Sequence, residues 1–121
     1  MAITVTWDEK LDPAEVLDFQ MDFGSGVKPV LAEGEEIATY SLALTAAAAA
    51  LGLQIEDAPP YEAAKLSGNK GIQLWLSVDP AEQTNPVFDA GVKLGVVGTI
   101  VTTSTPPRTR QRTWLVEVTQ Q

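Results

Sequence analysis

The chain contains neither cysteine nor histidine. Without cysteine there is no disulfide framework, no thiol nucleophile and no thiolate-ligated zinc. Without histidine the usual general base, the serine triad and the commonest transition-metal ligand go together. No metal or other cofactor is therefore expected. Basic residues are scarce: 8 Lys+Arg against 16 Asp+Glu leave a formal net charge of −8 and a pI near 4.3. That balance opposes attraction to phosphate backbones and to anionic membrane surfaces, so neither nucleic acid nor a membrane is expected as a partner. Long apolar runs are missing too, since none approaches the roughly 20 residues that span a bilayer. The opening MAITVTWDEK has no basic stretch followed by an apolar one, and the protein is expected to begin at its own first strand.

What the sequence has instead is alternation. In VLDFQMDF, Leu17, Phe19, Met21 and Phe23 fall on one face of an extended chain and Asp18, Gln20 and Asp22 on the other, the pattern of a half-buried strand. IQLWLSVD repeats it with Ile72, Leu74, Leu76 and Val78, which leaves Trp75 pointing outward. RTWLVEV sets Trp114, Val116 and Val118 against Thr113, Leu115 and Glu117. ITVTW, EIATYSLAL and GLQIE are weaker strand candidates. VKLGVVGTIVTT is apolar in both phases, so either Val96/Ile100 or Val97/Val101 could face inward. The segments GSGVKP, AEGEE, APPYEAAKLSGNKG, DPAEQTNP and TPPR separate these runs as turns. About seven short strands in 121 residues predict an all-β fold, a single immunoglobulin-like or fibronectin III-like β-sandwich over residues 1–121. TAAAAALGL is read as an irregular crossing or a short turn of helix, because five alanines present no amphipathic face. In DPAEVL, Asp12 and Pro13 could open a helix, but the alternation that follows pulls the segment into a strand.

Candidate reactive groups are few. Glu33, Glu35 and Glu36 surround Gly34, and Asp79 and Glu82 flank Pro80. Without the ligand spacing of a calcium loop they are expected to be solvated turns. Gly24, Gly26, Gly68 and Gly71 form neither GxGxxG nor a P-loop and are read as turn glycines. Thr103, Ser104 and Tyr61 have no histidine or apposed lysine to activate them, so an enzyme is not expected. In TPPRTRQRTWLVEV, Arg108, Arg110 and Arg112 continue the row of Trp114, Val116 and Val118. The arginines are expected to cap the end of the sandwich and to pair with carboxylates of this chain or of a neighbour.

The order of segments LDPAEVLDFQMDFG, VLAEGEEIATYSLAL, LGLQIED, IQLWLSVD and VVGTIVTTSTPPRTRQRTWLVEV resembles a family of small tailed-bacteriophage proteins, the fibre-to-tail adaptors. The resemblance covers nearly the whole chain through Asp12-Pro13, Val16 to Phe19, Asp22-Phe23, Leu31, Gly34-Glu35, Ile37, Gly52-Leu53, Trp75 to Ser77, Thr102 to Ser104, Arg108-Thr109, Arg112-Thr113, Val116 and Val118. Each motif is short; their order carries the likeness. Val78-Asp79 stands where the family has Gly-Gly, Thr105-Pro106-Pro107 where it usually has a glycine turn, and AEQTNPVFDAG is longer than its counterpart.

The resemblance implies an immunoglobulin-like virion protein of the tail or neck, present in the host cytoplasm during assembly. It would act without catalysis, in multiple copies of a symmetric assembly, by joining the tail or a portal-proximal adaptor to fibres. Trp75, Leu115, Arg108, Arg110 and Arg112 are the candidate interface residues, the first two as outward apolar side chains that an isolated sandwich rarely exposes together. The alternative is an immunoglobulin-like capsid decoration or a module that binds a host surface or carbohydrate.

Overall fold

The computed structural model of the protein describes residues 3–24 and 30–120; Gly26 and most of the GSGVKP turn lie outside them. The elements in chain order are β1 (Ile3–Leu11), β2 (Leu17–Asp22), β3 (Ile37–Leu44), α1 (Ala46–Ala50), β4 (Leu53–Ile55), β5 (Ala64–Lys65), β6 (Gly71–Val78), α2 (Val87–Ala90), β7 (Val92–Thr102) and β8 (Thr109–Val118). One sheet has the order β1-β8-β7-β3; in the other, β6 lies between β2 and an edge shared by β4 and β5. The two sheets pack as an all-β sandwich.

The alternating rows meet between the sheets. Phe19 lies opposite Leu74 and Met21 opposite Ile72 across β2 and β6, and all four are buried together with Phe23, Leu76, Trp114, Val116 and Val118. The Phe23 and Trp114 rings meet edge to face with centroids 5.0 Å apart, which adds directional contact to the area buried. In β7 the inward phase is Val96 and Ile100, with Val96 beside Trp114; Val97 and Val101 lie half-buried on the outer face. Gly98 sits in that inward row because a Cβ there would come 2.8 Å from Met21 Sδ and 3.2 Å from Phe23 Cζ.

Both open sides of the sandwich carry a latch. On one, Trp7 of β1 packs on Phe19 with centroids 4.8 Å apart and donates Nε1–H to the Gln20 carbonyl of β2 at 2.8 Å. On the other, Lys65 of β5 reaches across to the Ile37 and Ala38 carbonyls of β3, 3.4 Å from each.

Of the two forms open to the alanine run the helical turn is the one present, and two other local expectations are corrected. The alanine run is one helical turn, α1, held by Thr45 Oγ1 accepting from Ala48 N at 3.3 Å and by burial of Ala48. The DPAEVL segment is a turn ahead of β2: Asp12 Oδ1 accepts from Ala14 N, and Glu15 Oε1 reaches back to Asp12 N. Those side-chain bonds satisfy backbone groups that a strand would have paired with a neighbour. The long connection from β6 to β7 is helical in two places, a 3-10 turn at Pro80–Glu82 and α2, and α2 inserts Phe88 fully into the core.

Candidate functional site

Arg110 and Arg112 share one row of β8 and Arg108 precedes the strand, so each meets a different fate. Arg112 lies opposite Gly98. It is buried, with its guanidinium carbon 5.9 Å from the centroid of the Trp114 ring. Burial and the neighbouring Arg110 charge push its pKa down, and Asp22 opposes them. Arg110, opposite the buried Ile100, is exposed. Arg108 stands just before β8 and makes a two-pronged contact with Glu35, Nε to Oε2 at 3.0 Å and Nη2 to Oε1.

Glu35 is therefore no solvated turn residue, for only 6% of it is accessible. Its Oε1 also accepts from Ala32 N at 2.8 Å. The Arg108 guanidinium and then this amide hold its carboxyl far below the usual carboxylate range, against the opposing effect of burial. Glu33 keeps to solvent, and Glu36 accepts from Asn69 Nδ2 at 3.1 Å. Nothing local in AEGEE distinguishes Glu35, whose partner lies 73 positions away.

The same clamp fixes the tip between β7 and β8. Thr102 N donates to Arg108 O at 2.8 Å and Arg108 N to Thr102 Oγ1 at 3.0 Å. Ser104 Oγ lies 2.8 Å from Thr102 Oγ1 and donates to Pro106 O at 3.0 Å. Thr103 and Glu36 bond reciprocally, tying the tip to the start of β3. A shallow depression lined by Ala32, Glu33, Glu35, Thr105, Pro106 and Arg108 opens beside it.

Trp75 and Leu115 do point outward, but neither is bare. Trp75 stands on the outer face of β6 beside Asp18. It is half-buried because residues 56–63, which leave the edge after β4 and rejoin it at β5, bring Tyr61 edge-on to its ring with centroids 5.1 Å apart. Tyr61 is the more exposed of the two, at 39%. Leu115 lies between Thr6 of β1 and Gly95 of β7 on the outer face of the other sheet, half-covered. The two occupy opposite faces of the sandwich and do not form one patch.

Between β3 and the 56–63 excursion runs an open groove of about 420 Å³. Tyr40, Leu42, Ile55 and Ala63 supply its apolar lining, and Glu56, Asp57 and Glu62 its charge. Ser77 Oγ donates to Glu56 Oε2 at 2.7 Å. Among the described residues no three carboxylates converge as a metal would require, and no helix is long and apolar enough to cross a membrane. The chain matches no family model and no curated protein.

Proposed function

We propose that the protein is a structural component of a tailed-phage particle, an immunoglobulin-like adaptor of the tail or neck that joins fibres to the tail by protein contacts. The strand order supports the immunoglobulin reading. With β1 taken aside, β2-β6-β4 and β8-β7-β3 correspond to the B-E-D and G-F-C sheets of that fold. The order of sequence segments that resembles the adaptor family supports the virion role. The observation that carries docking is the tip between β7 and β8. Four side-chain hydrogen bonds and the Glu35–Arg108 pair hold it in one shape, while Arg110 stays exposed. A rigid, charged projection binds with little ordering cost. Trp75 with Tyr61 offers aromatic area on another face, and such anchors dominate contact energies.

Mass spectrometry of purified particles tests this reading: the protein should be present in multiple copies. Trp75→Ala and Arg110→Ala should leave the fold intact while particles lose fibres or fail to complete tails. Particles that lack the protein would end the adaptor reading; normal infectivity of both variants would end the contact assignment. One observation favours a second reading, a carbohydrate-binding surface module, because Tyr61 stands exposed beside Trp75 as a stacking platform would. A monomer that binds glycans through Tyr61 would support it.

A further inference from the structure

The exposed tip and the acidic groove are complementary surfaces that one copy cannot bring together. In the groove, Glu56, Asp57 and Glu62 make no ion pair; among the described residues the ion pairs are Lys10–Glu117 and Arg108–Glu35. In β8 next to the tip, Arg110 makes no ion pair among the described residues. Within one copy Arg110 is level with Tyr40 of the groove, but Ile100 of β7 stands between them, and the tip cannot fold over it because Arg108 is pinned to Glu35 and Thr103 to Glu36. A second copy meets neither obstacle. We propose that the protein associates with itself head to tail, the tip of one copy placing Arg110 among Glu56, Asp57 and Glu62 of the next.

The guanidinium would fork onto carboxylates, and the apolar lining of Tyr40, Leu42 and Ile55 would receive the prolines beside it, Pro106 and Pro107. The surfaces differ, so the contact is heterologous and propagates until a ring closes or a filament grows. The inference deepens the reading of the protein as an assembly component and rests on it.

Sedimentation velocity of the full chain from about 1 to 200 μM, the range where a small interface registers, tests it. Size should grow with concentration and fall back as salt screens the charges. Arg110→Glu should weaken association roughly thirtyfold or more. So should Asp57→Arg/Glu62→Arg, with melting curves confirming that each variant is folded. Mixing the two variants should restore association, because the acidic tip of one then fits the basic groove of the other. A chain that sediments as a monomer throughout, or Arg110→Glu associating like the native chain, overturns the proposal. Particles that contain a monomeric protein sink this inference alone; a self-associating protein absent from particles sinks the virion role alone.

Discussion

Arg108 holds Glu35 by both prongs of its guanidinium across 73 positions of chain. The pair joins the turn before β3 to the turn before β8. It also sets a pH dependence. Glu35 in the folded protein stays ionised well below its ordinary value of 4.5, whereas the unfolded chain takes up that proton near 4.5. Unfolded protein thus binds more protons in the window beneath that value, so stability rises with pH there. The contribution is complete above 4.5 and lost as pH falls toward the depressed folded value. Glu35→Gln should melt lower than the native protein at neutral pH, and the gap should narrow in thermal scans below pH 4.5. A constant gap would show that the carboxylate charge contributes nothing.

Phe19, only 4% accessible, lies between Trp7 and the facing sheet. Phe19→Ala removes the ring and leaves a cavity, at a cost of about 3–5 kcal/mol. The melting midpoint should fall by roughly 10 °C or more in a domain of this size. An unchanged midpoint would reject the inward phase of β2.

The strands were legible because burial on one face imposes a period of two. Leu17 to Phe23, Ile72 to Val78 and Trp114 to Val118 each kept one apolar row, and the core is those rows. Outside the rows the pattern carried less. β7 is apolar in both phases, and only its register with Trp114 selects Val96 and Ile100. Phe88 sits in a polar connection, with nothing beside it to mark an inward side chain. Five alanines fall short of a helix on propensity alone, and α1 exists through its Thr45 cap and its contact with the core. At the candidate site the spacing of the arginines placed all three in one row, but Arg108 stands before β8, and which was buried, which exposed and which paired depended on neighbours distant in the chain. Glu35 and the cover over Trp75 are long-range matters: Arg108 and Tyr61 arrive from distant turns.

Gly95 and Thr45 give a test of α1. A Cβ on Gly95 would stand 2.5 Å from Thr45 Cγ2, and Thr45 is the residue that caps α1. Gly95→Ala should destabilise by about 1–3 kcal/mol through overpacking, and Thr45→Ala by about 1 kcal/mol through the lost cap. The alanine at 45 also removes the methyl that clashes. The double variant should therefore lose less than the two single costs added, read from denaturant melts as a double-mutant cycle.

Removal of metal should have no effect on stability. The chain has no cysteine or histidine, and among the described residues the acidic side chains do not gather into a ligand set. Thermal unfolding with and without a chelator should superimpose. A large drop in chelator would identify carboxylates acting as ligands after all.

β1 and β8 lie side by side in parallel, Ile3 beside Arg112 at one end and Leu11 beside Val118 at the other. Tension applied between Ile3 and Val118 would thus drag the two strands lengthwise past each other. Their bridging hydrogen bonds would bear the load together, in shear, instead of parting one after another as in a peeled hairpin. A protein built this way resists extension along its own backbone far better than across it, a directional toughness suited to any part that must transmit force.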